Sequence, residues 1–362
     1  MHSIRIEEIR LKDLKDFTGP FFNHSGAENI LPISPRRVLA HSRNPCARPD
    51  DIVLLVAFNG NECIGYHGLL PGLLRHDNKV PRVFWATTFY VSQAHRGQRV
   101  GELLIQKIKA LNVDFCVTGM TRSAEKTYLQ SGLKILGPIV FYQLQIKTGA
   151  GIKFFHRILK RFLYYCWSYK KPGGFQEFRY QQVEQINREL ESVKASAKGG
   201  PVFYRSIEWV NWMLKYPWVV SKDTVETPYY NYHFAGVRDV FQYIALELYS
   251  NRDNAHQGFV VFSVSRKKEN TVLKILDYHI LDARAFNIIS RLSLKLAAHH
   301  LADRIDIPPE FVNVFQNLFC HTYLLNTKKR LYVYHPKTAA SPLAAWADNI
   351  DLNYCDGDTA FT

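Results

Sequence analysis

A strand-to-helix junction is encoded by Phe89-Tyr90-Val91-Ser92-Gln93-Ala94-His95-Arg96-Gly97-Gln98-Arg99-Val100-Gly101-Glu102-Leu103-Leu104-Ile105. The β-branched and aromatic residues of 80–91 predict a central strand, and the apolar residues of 101–111 follow a helical period. The connecting loop is basic and contains glycine. At a helix start, several backbone N–H groups lack intrahelical partners and lie at the positive end of the helix dipole. The junction therefore predicts a site for an anion such as phosphate.

Two arginines and two glycines strengthen this prediction. Arg96 and Arg99 add side-chain charge, and Gly97 and Gly101 lack side chains that would keep a pyrophosphate away from the backbone. The alternative is an ordinary strand-to-helix turn with solvated arginines, and the loop by itself leaves both interpretations open.

The loop resembles the signature Arg/Gln-x-x-Gly-x-Gly/Ala of the GNAT acyltransferases, which binds the CoA pyrophosphate in the same strand-loop-helix context. Here Arg99 stands at the first signature glycine, where an arginine could act as a charge partner, and Gly101 is the final glycine. The resemblance also implies that the strand end presents a backbone N–H to the thioester carbonyl. The implied cofactor-binding residues are Phe89, Tyr90, Val91, Arg96, Gly97, Gln98, Arg99, Val100 and Gly101.

A second match follows at residues 121–133, which resemble the family's helix Asn-x-x-Ala-x-x-x-Tyr-x-x-x-Gly-Phe. Alanine, tyrosine and glycine fall in register, whereas Thr121 and Leu133 replace asparagine and phenylalanine. In the family this tyrosine lies by the CoA sulfur, so the resemblance implies Tyr128 as the general acid that protonates the thiolate. A phenol with a pKa of about 10 suits that role. The alternative is a core aromatic residue.

The sequence assigns no general base. Residues 84–88 of the predicted central strand contain no carboxylate. The candidates that could hold a water molecule are Thr87, Thr88 and His67, and the candidate carboxylates are Glu28 and Asp114. Cys116 lies on a predicted core strand without an evident histidine partner, so we expect direct transfer to an amine rather than an acyl-enzyme.

The order of elements predicts an α/β (α+β) fold with two GNAT-like domains, each a mixed, mostly antiparallel twisted sheet flanked by helices. The expected divisions are a catalytic acyl-CoA-binding domain at 1–147, a linker at 148–200 and a second domain at 201–362. The second domain repeats the element order, but residues 281–284 after its central strand contain no glycine-rich loop, so we expect it to be degenerate.

The expected arrangement of one active and one degenerate GNAT domain resembles that of bacterial enzymes that modify amino sugars, envelope polymers or aminoglycosides. This resemblance implies an amine acceptor, such as an amino sugar or a cell-envelope glycan precursor, and acetyl-CoA or another acyl-CoA as co-substrate. A second hypothesis is a non-catalytic CoA-binding or protein-interaction module, motivated by Arg99 and the unassigned base.

The linker is predicted to contain a basic amphipathic helix at 152–167, followed by a polar helix at about 178–194. The amphipathic helix either contacts acidic lipid as a peripheral membrane element or packs between the domains. The acidic tail at 345–359 gives two further alternatives. Asp356 and Asp358 either bind an amino substrate in the acceptor pocket or belong to a solvated tail.

Composition limits the possible partners. The net charge of +14 favours phosphates, nucleic acid or acidic lipid, but no nucleic-acid motif is present, so we expect no nucleic-acid partner. The six cysteines lack the spacing of a zinc site, and we predict no metal. Scattered cysteines, the charged start of the chain and the lack of a long apolar run predict a cytoplasmic protein, peripheral to a membrane at most.

Overall fold

The computed structural model describes residues 4–23, 30–146, 162, 165–166, 177–187, 189–190, 200–224, 232–234, 236–318 and 323–358. The predicted amphipathic helix at 152–167 therefore lies almost entirely outside the described residues, and so does Glu28.

The first half of the chain contains the strand and the two helices that the sequence predicts at 80–91, 101–111 and 121–133. Its strands are β1 (Ile4–Arg10), β2 (Ile52–Asn59), β3 (Glu62–Arg75), β4 (Arg82–Val91), β5 (Phe115–Thr118) and β6 (Lys134–Ile146). Its helices are α1 (Leu14–Asn23), α2 (Pro35–Ser42), α3 (Val100–Ala110) and α4 (Arg122–Gln130). Strands β1 to β4 form an antiparallel meander, and β5 then pairs with β4 in parallel.

The second half repeats this order. Its strands are β7 (Phe178–Val183), β8 (Val202–Tyr204), β9 (Val219–Ser221), β10 (Gly236–Arg238), β11 (Val240–Ser250), β12 (His256–Lys267), β13 (Asn270–Ile280), β14 (Arg304–Ile307) and β15 (Tyr323–His335). Its helices are α5 (Ile207–Lys215), α6 (Ala285–His299), α7 (Val312–Leu318) and α8 (Pro342–Trp346). Strands β7, β11, β12 and β13 are antiparallel neighbours, and β14 pairs with β13 in parallel, as β5 does with β4.

One sheet runs through both halves in the order β1-β2-β3-β4-β5-β15-β6-β14-β13-β12-β11-β7, with β8 paired to β3. The halves exchange a strand where they meet. Strand β15 from the second half lies between β5 and β6, and β6 from the first half pairs with β14. The two halves therefore share a continuous hydrogen-bonded sheet, while the domain divisions at 147 and 200 remain a prediction.

The helices bury apolar faces against this sheet. Leu104, Ile105 and Ile108 of α3 pack with Tyr128 of α4 on the first half, and α6 covers the second half with residues such as Ile288 and Leu292. Thr121 caps α4, because its Oγ1 accepts the N–H of Ala124 at 3.3 Å. Threonine thus serves as the N-cap at the position where the resembling family has asparagine.

Two local predictions were wrong. Residues 178–183 form strand β7, not the start of a polar helix, because they pair in antiparallel register with residues 245–250 of β11. The solvated-tail interpretation of 345–359 was also wrong, since Tyr354, Cys355 and Asp356 are buried. In the part of the chain that the structure describes, no helix has the length and hydropathy needed to span a bilayer.

Candidate functional site

The candidate site begins where β4 extends beyond its parallel partner. Strands β4 and β5 pair only through Phe84–Ala86 and Phe115–Val117, and β4 then continues to Val91. Its other edge remains paired with β3 through Gly65 and Tyr66. The edge of β4 that faces β5 therefore carries backbone groups outside the ladder, as a strand-end donor to a ligand would require.

A β-bulge reshapes this strand end. Gly68 pairs with Thr87 and Tyr66 with Tyr90, so Thr88 and Phe89 of β4 together oppose His67 alone. Thr88 takes a left-handed backbone conformation with a φ of 48°, which is unusual for a β-branched residue. Because a bulge leaves a residue unpaired and re-aims its neighbours, strain of this kind is typical of functional sites.

The loop that follows keeps a glycine-like backbone at the position where the GNAT signature has its first glycine. Arg99 is the N-cap of α3 and adopts the left-handed region with a φ of 63°. Its side chain is largely exposed, and its Nε donates to Glu102 at 2.8 Å. The substitution therefore preserves the backbone conformation of a glycine and adds a cation at the helix start.

The two loop glycines have different surroundings. A Cβ at Gly97, where φ is 83°, would meet nothing within 4 Å, so the backbone there borders open space. A Cβ at Gly101 would lie 2.9 Å from the Cζ atom of Phe89. Gly101 thus allows α3 to pack against the bulged end of β4, a packing role that the sequence interpretation did not include.

Tyr128 lies at the base of the site. It is 1% exposed, and its ring contacts Phe89 and His67 at centroid distances of 5.3 and 5.8 Å. Its hydroxyl is 2.5 Å from Nε2 of His67, which is itself fully buried. Phe89, Tyr128 and His67 therefore form a three-ring cluster beside the bulge.

The tautomer of His67 follows from its partners. Nδ1 lies 3.1 Å from the carbonyl oxygen of Thr87 and 3.2 Å from that of Gly68. Two carbonyl oxygens require a donor, so Nδ1 carries the hydrogen and Nε2 is a lone-pair acceptor. Burial lowers the pKa of His67 to about 4, which keeps the ring neutral. Tyr128 must then donate its hydroxyl hydrogen to His67.

An acidic residue from the far end of the sequence acts on Tyr128. Burial raises the pKa of the Tyr128 phenol well above its usual value, and the negative charge of Asp358 raises it further. The pKa of Asp358 is also raised by burial, and the positive charges of Arg37 and Arg330 oppose this effect. The pKa of Tyr232 is raised to about 12, by burial and also by the charge of Asp358. The site therefore couples a phenol to a partly buried carboxyl group.

Other candidates from the sequence have structural contacts. Asp114 is buried, and its Oδ1 accepts the backbone N–H of Lys337 at 2.8 Å. Cys116 is fully buried, and burial raises the pKa of its thiol well above the usual range. Asp114 therefore binds a backbone group, and Cys116 belongs to a buried apolar cluster on β5. Within the described ranges, no group of three or more His, Cys, Asp or Glu side chains could hold a metal ion.

Sequence reasoning located the loop and Tyr128 but missed two partners. His67 appeared only as a possible water holder, because it lies 61 positions from Tyr128. Asp358 appeared only in a choice between substrate binding and a solvated tail. The one available signal for His67 was its position as a histidine within a mostly apolar stretch of sequence.

Comparisons with known proteins agree with this architecture. Residues 14–119 match the model of the Acetyltransferase (GNAT) family. A GCN5-related N-acetyltransferase from Anabaena variabilis ATCC 29413 superposes with a TM-score of 0.54 at 11% identity, over 93% of this chain and 74% of that chain. The myristoyl-CoA-bound N-myristoyltransferase from Saccharomyces cerevisiae superposes with a TM-score of 0.51 at 10% identity, over 92% of this chain and 84% of that chain.

At such low identity these two likenesses show a shared fold. A comparison with curated protein sequences found no match. The family match covers the segment that contains the β4 bulge, the 96–101 loop and α3. Residues 14–119 are therefore similar to the GNAT acetyltransferase family, and the chain has a GNAT-like fold over most of its length.

Proposed function

We propose that the protein transfers an acyl group from acyl-CoA directly to an amine, and that the site lies between the bulged end of β4 and α4. One observation carries the proposal. The bulge at Thr88, the start of α3 at Gly101 and the buried pair of Tyr128 and His67 meet around the ring of Phe89. Together they supply a backbone donor, an anion-binding helix start and a proton-carrying phenol.

The cofactor is held by the 96–101 loop and the end of β4. The N–H groups at the start of α3 and the charges of Arg96 and Arg99 bind the pyrophosphate of CoA. A backbone N–H among Phe89, Tyr90 and Val91 stabilises the oxyanion that forms from the thioester carbonyl. Acetyl-CoA is the first co-substrate to test.

Asp358 and Tyr128 divide the proton transfers. The carboxylate of Asp358 takes a proton from the acceptor ammonium, whose neutral amine then attacks the thioester carbon. As the C–S bond breaks, the hydroxyl hydrogen of Tyr128 leaves its hydrogen bond to Nε2 of His67 and is transferred to the thiolate. The new amide nitrogen loses its extra proton, which returns to the Tyr128 oxygen.

The order of these transfers follows from the coupling between the two residues. A charged Asp358 raises the pKa of Tyr128, so the phenol keeps its proton in the resting enzyme. Protonation of Asp358 by the substrate removes that charge, and Tyr128 becomes a stronger acid as the thiolate leaves. Asp358 is thus the proposed base that the sequence alone could not assign.

The acceptor is an amine, and an amino sugar or a cell-envelope glycan precursor is the class implied by the tandem arrangement. The acidic group at Asp358 suits a protonated amine. The partly exposed ring of Tyr90, which stacks on Tyr66 at a centroid distance of 5.3 Å, suits the apolar face of a sugar.

Calorimetric titration with acetyl-CoA tests the cofactor site. The variant carries Arg96→Ala and Arg99→Ala, and a matched control removes two exposed arginines elsewhere, Arg43→Ala and Arg252→Ala. We expect the first variant to lose at least about tenfold in affinity, since each charge-assisted contact contributes about 1.5–3 kcal/mol. Equal affinities in the two double variants would contradict the assignment of the loop.

A panel of amines that starts with glucosamine then tests transfer, with free CoA thiol as the readout. Asp358→Asn should lower kcat by about 10²-fold or more without weakening acetyl-CoA binding. Acetyl-CoA binding without turnover of any amine would favour the alternative hypothesis of a non-catalytic CoA-binding module.

A further inference from the structure

Each half of the sheet contains a bulge beside its parallel strand pair. In the second half, Val261 pairs with Asp277 and Phe262 with Ile275, so Leu276 of β13 is the extra residue. The parallel pairing of β13 with β14 precedes this bulge, as the pairing of β4 with β5 precedes Thr88. The first bulge leads to the basic loop, whereas the second presents a buried carboxylate, Asp277.

Asp277 binds a buried arginine in fork geometry. Nε of Arg205 donates to Oδ2 of Asp277 at 3.0 Å, and Nη2 donates to Oδ1 at 3.2 Å. The remaining nitrogen, Nη1, donates to Oδ1 of Asp356. All three side chains are buried, so the guanidinium connects the core of the second half with the segment 350–358. Such bidentate contacts fix orientation as well as distance.

The 350–358 segment is held closely at several points. The second oxygen of Asp356 accepts the N–H of Asn353 at 2.7 Å, and Tyr332 donates to the carbonyl oxygen of Asn353 at 3.2 Å. Tyr354 donates to Asp306 of β14 at 3.3 Å. These contacts join the segment to β14 and β15, and they end two residues before Asp358.

Between Asp356 and Asp358 the chain passes the last residue of β5, Thr118. Gly357 has a φ of 77°, and a Cβ there would lie 2.8 Å from Cγ2 of Thr118, the last residue of β5. Thr118 is three residues before Thr121, the N-cap of the helix that carries Tyr128. The segment therefore runs from the Arg205 contact directly to the base of the candidate site.

We propose that Arg205 is a positioning residue: by binding Asp277 and Asp356 at once, it holds the 350–358 segment so that Asp358 lies at the active site. The second half then contributes to the active site, since Asp277 at its bulge binds this arginine. This inference rests on the proposed function, because it assigns to Asp358 the acceptor proton. Arg205 itself lies in the interior and acts through the segment.

The first experiment needs no acceptor. Hydrogen–deuterium exchange of the full chain compares wild type with Arg205→Lys, which keeps the charge but cannot form the fork. Asp356→Asn is a second variant, which keeps an acceptor oxygen for Arg205. We expect faster exchange across 350–358 in both variants and unchanged exchange at 96–101. Unchanged exchange across 350–358 in both would overturn the proposal.

The second experiment is a double-mutant cycle on transfer from acetyl-CoA to the best acceptor of the amine panel. Arg205→Lys should lower kcat by about 10²-fold, the effect of a displacement near 1 Å, with acetyl-CoA affinity unchanged. In an Asp358→Asn background the same change should have little further effect, since both act through one carboxylate. If the fold-losses in kcat of the two single variants multiply in the double variant, the positioning role is contradicted.

A matched control separates positioning from general loss of stability. Arg82→Lys alters another partly buried arginine ion pair, with Asp51, at the opposite end of β4. It should leave kcat within about twofold of wild type, as expected for a change outside the site. If Asp358→Asn itself keeps full activity, the proposed base is wrong, while the exchange result still decides whether Arg205 holds the segment.

Discussion

Replacing Tyr128 with phenylalanine tests the hydrogen bond on which the site geometry depends. The change removes one hydroxyl and keeps the ring that packs against Phe89 and His67. Nε2 of His67 then lacks its donor in a fully buried position. A buried acceptor left without a partner costs about 1–3 kcal/mol, so the free energy of unfolding should fall by that amount.

Tyr66 provides the matched control. It is also fully buried in the first half, but its hydroxyl has no hydrogen-bond partner among the described residues. Tyr66→Phe removes a buried polar group that makes no bond, so we expect no loss of stability and a gain of up to about 1 kcal/mol.

Urea unfolding followed by tryptophan fluorescence and circular dichroism measures both variants. Equal slopes against urea concentration are required before the free energies are compared. A loss below about 0.5 kcal/mol for Tyr128→Phe, or an equal loss for Tyr66→Phe, would refute the assigned donor and tautomer.

Three further predictions concern the loop and the buried carboxyl group. Gly101→Ala should lower the free energy of unfolding by about 1 kcal/mol in urea titrations, because overlap with Phe89 outweighs the better helix propensity of alanine; a stability gain would contradict this packing. Arg99→Gly should change stability by less than about 1 kcal/mol, since relief of the left-handed φ is offset by the freedom of glycine in the unfolded chain; a larger loss, by the same titration, would show that the side chain holds the loop. Burial raises the pKa of Asp356 to about 7, above about 3.9 in an unfolded chain, so its stabilising contribution is present below about pH 4 and lost as the pH rises through about 7. Asp356→Asn should therefore flatten the dependence of the unfolding free energy on pH between these values. If unfolding titrations of the variant show the same dependence on pH as wild type, Asp356 is not its cause.

Local sequence signals predicted most of the first half and the loop of the candidate site. The β-branched and aromatic run at 80–91 and the helical period at 101–111 are patterns of neighbouring residues, and the structure follows them with β4 and α3. The register of Ala124, Tyr128 and Gly132 was equally local, because one helix turn sets the spacing.

Predictions failed where distant pairing decides the conformation. Residues 178–183 are polar and exposed at many positions, and only their hydrogen bonds to β11 make them a strand. The 345–359 segment reads as a soluble tail from its four aspartates, yet Arg205 and Asp277 provide a buried environment for Asp356. Tertiary context overrides composition in both cases.

The sequence by itself determined the strand, loop and helix at 80–111 and the similarity of the first half to the GNAT family, and it named Tyr128 as the candidate acid. Only the tertiary structure decided which side chains meet at that acid. His67 reaches Tyr128 across 61 positions, and Arg205 reaches Asp356 across 151. The physical reason is that helix and turn signals arise from contacts within a few residues, whereas tautomers, raised pKa values and buried ion pairs depend on groups that only the folded sheet brings together.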